Sequence, residues 1–197
     1  MSNYYQNKYY TFADKKDGTT YHITHKELCR REWLYNIGKN YRLDIACDLT
    51  FRQRKEVVVD DRIQIHKLND SFANQNISEF LHKLNQRVYK NAYKRYGKKL
   101  DVVVSLEGGT DMLREDCDKT KLTHAHISIQ QPNHISTDVF ILLMNEIWIQ
   151  TVWGFAQTNV SKIRTEVGRR KYHIKNSLDA IIYDHTNHSN SSSSLRH

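Results

Sequence analysis

From residue 42 to residue 52 apolar and polar side chains alternate. Leu43, Ile45, Cys47, Leu49 and Phe51 fall on one face, and Asp44, Ala46, Asp48 and Thr50 on the other. That is the pattern of a half-buried strand. A second extended stretch covers Glu56 to Lys67, with a hairpin about Asp60-Asp61. Asn76-Ile-Ser-Glu79 reads as a capping box, and Phe80, Leu84 and Val88 recur behind it at fourfold spacing. The pattern predicts a helix there, ended by Gly97. Leu100 to Glu107 and Leu122 to Gln130 read as strands, joined by a polar loop from Glu107-Gly108-Gly109 to about Lys121. A helix is expected from Thr137 to about Thr151, a short strand near Phe155 to Val160, and a last helix from about Gly168 to Tyr183. Upstream, the first 23 residues are polar and Tyr-rich, with a turn at Asp17-Gly18. Thr24-His-Lys-Glu27 is a second capping box, opening a helix to about Gly38. The order strand, helix, strand, strand, helix, strand, helix implies an α+β fold. Its core is a central, mainly antiparallel β-sheet flanked by helices.

Composition narrows this picture. One proline and seven glycines leave no linker, so residues 1–188 read as a single domain. Residues 189–197 read as a flexible Ser-rich tail. No apolar run exceeds the six residues around Val139 to Met144, which excludes a membrane-spanning helix. The N-terminus lacks the apolar stretch of a secretory signal, so a cytoplasmic protein is expected. Three scattered cysteines form no CxxC, which argues against a disulfide scaffold or a zinc ribbon. Lys and Arg number 30 against 22 Asp and Glu, a net charge of +8. Such a surplus favours a polyanionic partner, because each cation placed near a phosphate releases condensed counterions. Twelve tyrosines among the basic residues suit unstacked bases, although most rings in any protein serve packing.

The chemistry concentrates in a few places. In a strand, residues two apart point the same way, so His124, His126 and Ser128 share one face and Ala125, Ile127 and Ile129 the other. The apolar side packs on helices and leaves two imidazoles on an open face, a metal-ligand pair. In the preceding strand Val103, Ser105 and Glu107 alternate with Val102, Val104 and Leu106. Glu107 then lies on the histidines' face, or is simply a turn residue before the glycines. Two neutral imidazoles and one carboxylate with positions left open suit Mn²⁺ or Mg²⁺. Further on, Tyr172 and Lys175 are one helical turn apart, next to Lys171. A phenol is a weak nucleophile near neutral pH, but an ammonium close by stabilises developing negative charge. Tyr172 is otherwise a half-buried helix residue. Asp48 and Thr50 either contact DNA or the site, or are tolerated polar residues of a central strand. Lys83 and Arg87 form either a phosphate-facing stripe or a solvated helix face.

The order of these motifs, Asp48-Leu-Thr-Phe51, then His124-Ala-His126, then Tyr172-His-Ile-Lys175, resembles that of the HUH endonucleases. Within them it is most similar to the rolling-circle replication initiator (Rep) proteins of small replicons. The resemblance spans about residues 42–188 and departs at the small Ala125 between the histidines. It implies an HUH/Rep-like, RRM-related sandwich. It also implies a metal site of His124, His126 and Glu107, a catalytic Tyr172 assisted by Lys175, and DNA contacts from Asp48, Thr50, Lys83, Arg87 and Lys171. Single-stranded or hairpin origin DNA would be nicked by transesterification, leaving a 5′-phosphotyrosine, with unwinding left to a separate helicase. Single-tyrosine transposases and relaxases of the same superfamily stay open as alternatives. So do a non-enzymatic nucleic-acid-binding domain and a water-using phosphodiesterase. The cluster Tyr4, Tyr5, Tyr9 and Tyr10 keeps a relaxase-like order formally possible.

Overall fold

A computed structural model describes residues 9–13, 18–25, 28–29, 31–32, 35–36, 43–108 and 122–164. The chain forms two compact units, Met1–Arg42 and Leu43–His197. In the first, β1 (Tyr9–Ala13) pairs antiparallel with β2 (Thr20–Thr24), from Tyr9 opposite Thr24 to Ala13 opposite Thr20. The polar look of this segment hid both strands, although in β1 the half-buried Tyr10 and Phe12 alternate with exposed Tyr9, Thr11 and Ala13. Gly18, at the expected turn, has φ 70°, a value that favours glycine. The described residues between 25 and 36 are helical, in line with the capping box at Thr24.

The second unit is built on four strands. They are β3 (Ile45–Phe51), β6 (Val102–Glu107), β7 (His124–Ile129) and β8 (Gly154–Lys162). Their order is β6-β7-β3-β8, and every neighbouring pair is antiparallel. A separate hairpin, β4 (Arg54–Val59) and β5 (Arg62–Lys67), turns at Asp60 and Asp61 as the sequence implied. Both turn residues have positive φ, 49° and 58°, which the twist of a two-residue hairpin demands. Helices α1 (Asp70–Tyr89), α2 (Asn91–Tyr96) and α3 (Thr137–Ile149) accompany these strands among the described residues, an α+β arrangement of antiparallel sheets and helices.

The alternation in β3 is observed as read. Ile45, Cys47, Leu49 and Phe51 are at most 2 % exposed, while Ala46, Asp48 and Thr50 are half-buried on the reverse face. The apolar face packs against Ile77, Phe80 and Leu84 of α1 and Phe140, Met144 and Trp148 of α3. Trp148 sits at the centre. Its ring meets Phe51 and Phe80 edge-on at 5.0 and 5.5 Å, and its indole N–H donates to the Thr50 carbonyl at 3.1 Å. A buried ring of this size contributes area and its polar edge is satisfied, so it fixes the α3–β3 contact without leaving a buried donor unpaired. After α3 the chain turns back so tightly that a Cβ on Gly154 would lie 1.9 Å from the Trp148 carbonyl oxygen. Only glycine fits there.

Helix boundaries depart from the sequence reading. Helix α1 starts at Asp70, capped by Asn69, whose side chain accepts from the Phe72 N–H at 2.8 Å. The capping-box reading of Asn76 fails because this side chain is buried and used across the fold. It donates to the Thr151 hydroxyl and accepts from the Trp153 N–H, both at 2.9 Å. Nor does the helix run unbroken to Gly97. Lys90, with φ 48° and ψ −121°, separates α1 from α2, and Gly97 caps α2 in the left-handed conformation. The expected helix over 168–183, the Ser-rich tail and most of the polar loop before β7 lie outside the described residues. Among those described, no helix is long and apolar enough to cross a membrane.

Candidate metal centre

Strand β7 lies between β6 and β3, and the register on either side decides what meets its histidines. On one side Glu107 is opposite His124 and Ser105 opposite His126. On the other, Asp48 is opposite His126 and Thr50 opposite His124. Since Cys47, Val104 and Ile127 face the helices, these polar residues all project from the reverse face of the sheet.

There Glu107, His124 and His126 converge. The Glu107 Oε2 lies 2.7 Å from His126 Nε2 and 3.2 Å from His124 Nε2. The two imidazoles stand edge to face, with centroids 4.7 Å apart and planes at 89°. The three potential ligand atoms all lie within 4.8 Å of one another. Ligands about 2.1 Å from an octahedral ion are roughly 3 Å apart, so small side-chain shifts bring this set onto one ion.

The outer hydrogen bonds make the fit stronger. His124 Nδ1 lies 2.8 Å from the Leu122 carbonyl, which can only accept. His126 Nδ1 lies 2.7 Å from the Asp48 carboxylate. Both bonds place a proton on Nδ1 and turn Nε2 toward Glu107, where a proton or a cation must bridge His126 Nε2 and the carboxylate 2.7 Å away. This is the usual outer shell of a metal-binding histidine. Gln53 fixes the start of the strand. Its amide pairs with both the N–H and the carbonyl of Thr123 at 3.1 Å and also donates to Phe51 O. Two nitrogens and a carboxylate oxygen, all pre-oriented, can hold a divalent ion.

One expectation is overturned. The histidine face is largely covered: His126, Ser128, Ser105 and Glu107 are between 1 and 7 % exposed, while His124, Ala46, Asp48 and Thr50 are half-buried. Alternation distinguishes the two faces of a strand but not whether the second is covered, because polar residues are tolerated in a buried face when they bond to one another.

The other candidate residues separate. Asp48 and Thr50 adjoin the cluster. Lys83 and Arg87 lie on α1, on the far side of the sheet from it. Lys171, Tyr172, Lys175 and Tyr183 lie outside the described residues. Sequence reasoning missed Gln53, and it placed Asp48 near the site without its bond to His126. Gln53 carries no recognisable signal. The Asp48 bond was accessible only through the register of β3 on β7. The chain matches no protein-family model, no curated protein and no solved structure, so its site is read on its own geometry.

Proposed function

We propose that this chain is a metal-dependent HUH-type endonuclease and strand transferase that nicks single-stranded or hairpin DNA by tyrosine transesterification, as a rolling-circle initiator does. The observation that carries the reading is the convergence of Glu107, His124 and His126 on neighbouring antiparallel strands, with both Nε2 atoms turned inward. The net charge of +8 and the Tyr172-x-x-Lys175 spacing support a polyanionic substrate and a tyrosine nucleophile. A divalent ion held by Glu107, His124 and His126 would polarise the scissile phosphate. Asp48 and the Leu122 carbonyl hold the Nδ1 side of the two imidazoles and leave each Nε2 facing Glu107, where the ion would take its place. The Tyr172 phenol forms a bond to phosphorus as the P–O3′ bond breaks. The phenol loses one proton and the departing 3′ oxygen gains one. Lys175 offsets charge developing on the phenolic oxygen. The phosphodiester energy is kept in the 5′-phosphotyrosine, so rejoining needs no nucleotide cofactor.

The test is incubation with end-labelled single-stranded DNA and Mn²⁺, resolved on a denaturing gel. A covalent protein–DNA adduct that requires the metal is the expected result. Cleavage without an adduct would point to a water-using phosphodiesterase. Retention of DNA without cleavage would point to a binding domain.

A further inference from the structure

The two faces of the β4–β5 hairpin differ. On one, Lys55 lies opposite His66 and Val57 opposite Gln64. Lys55, Val57 and His66 are half-buried there and line a cavity with Phe72 of α1 and Trp153, and the His66 ring stacks on Phe72 at 6.4 Å. The alternate positions form the reverse face. On it Arg54 lies opposite Lys67, Glu56 opposite Ile65 and Val58 opposite Ile63. Val58, Ile63 and Ile65 are 62 to 70 % exposed. We propose that this bare face is a self-association surface, on which a second copy of the chain packs its own hairpin antiparallel, tip to base. The inference does not rest on the reading of the metal centre.

Apolar surface is the first support. β-branched residues suit any strand, but threonine would supply the branch on a solvated face without the apolar area. Here three large aliphatic side chains adjoin one another on one face rather than being scattered, which marks an interaction surface. A two-stranded hairpin also has little stability of its own, so covering its second face is favourable.

Charge decides the occupant. The base of the hairpin is basic, with Arg54 and Lys67 opposite each other, and the tip is acidic, with Asp60 and Asp61 at the turn. All four are exposed, and none takes part in the ion pairs formed among the described residues. A two-fold axis between two such faces, running across the strands, lays β4 on β4 and β5 on β5 in opposite directions. Arg54 then meets Asp60 of the second copy, and Lys67 meets its Asp61. Ile63 meets Ile65 and Ile65 meets Ile63, as an isologous contact requires. Glu56 falls against Val58, and in a contact only two strands wide its carboxylate keeps access to water. A parallel arrangement would set like charges together at both ends. The tip acids also repel nucleic acid and anionic lipid. The face offers about eight residues, well under the roughly 20–30 a side of a standard interface, so the dimer is weak and sensitive to salt.

The test is sedimentation equilibrium of the full chain in EDTA, from about 1 to 200 µM. The mean mass should rise with concentration from that of one chain toward that of two, and should rise less at high KCl. Ile63→Thr with Ile65→Thr keeps both β-branches and should weaken the dimer about tenfold or more without lowering the thermal midpoint. Arg54→Glu with Lys67→Glu should not self-associate, and neither should Asp60→Lys with Asp61→Lys. An equimolar mixture of those two variants should form the dimer again, which general stickiness would not produce. A chain that is monomeric throughout would overturn the proposal. So would a dimer unchanged in Ile63→Thr with Ile65→Thr, or a mixture that stays monomeric. Sedimentation of a monomeric chain with phosphatidylglycerol vesicles would also overturn it and assign the face to a lipid surface.

Discussion

Replacing Asp48 by alanine should weaken Mn²⁺ binding while leaving all three ligands in place. The Asp48 carboxylate lies 2.7 Å from His126 Nδ1, and His126 is only 3 % exposed, so the ring loses a fixed, charged acceptor for which water is a weaker substitute. Two losses follow. The imidazole becomes a weaker donor to the ion, and its ring orientation is no longer fixed. Outer-shell changes of this kind typically cost about 10- to 100-fold in metal affinity, or roughly 1.4 to 2.7 kcal/mol. Asp48 is itself partly exposed, its side chain at 32 %, so the lower half of that range is expected. Asp48→Asn retains an acceptor oxygen without the charge and should fall between wild type and alanine. Titration calorimetry with Mn²⁺ reads the affinity. Long-range ¹H–¹⁵N correlation on the metal-free protein reads the tautomer of His126. Affinity within twofold of wild type in Asp48→Ala, with Nδ1 still protonated, would refute the claim that this carboxylate sets up the ligand.

Three further outcomes are expected. Tyr172→Phe should abolish the covalent adduct and Tyr183→Phe should not; loss in Tyr183→Phe alone would transfer the nucleophile's role, and retention in both would direct attention to the N-terminal tyrosines. Trp148→Ala should lower stability by about 3 to 5 kcal/mol in urea titration, because it empties the contact with Phe51 and Phe80 and leaves a cavity between helix and sheet; a loss below about 1 kcal/mol would mean the layers close over the gap. Burial, reinforced by the Asp101 carboxylate, raises the Tyr89 phenol above its usual value near 10. The protonated phenol therefore contributes stability that is complete below about pH 10 and is lost as pH rises through the folded-state value. Urea midpoints should fall more steeply above that pH in wild type than in Tyr89→Phe, and parallel curves would contradict the assignment.

The sequence by itself determined the features that depend on near neighbours. Period-two alternation placed β3, β6 and β7, told the helix-facing residues from Asp48, His124, His126 and Glu107, and located the Asp60-Asp61 turn. Local rules failed where a residue answered to distant partners. Asn76 has the composition of a cap but is drawn into the interior by Thr151 and Trp153. Lys90 gives no warning of a helix break. Burial of the histidine face and the separation of Lys83 and Arg87 from it were equally invisible, because both depend on which layer covers which side of the sheet. The site itself was half legible. Three ligands could be assigned to one face, since the direction of a side chain in a strand is a local property. That they meet, and that Asp48 stands behind His126, was decided by register. Sliding β3 by one residue against β7 would bring Cys47 or Leu49 opposite His126 and turn Asp48 to the helix side. Register is set by the whole apolar face packing at once, and no short stretch of the chain contains that information.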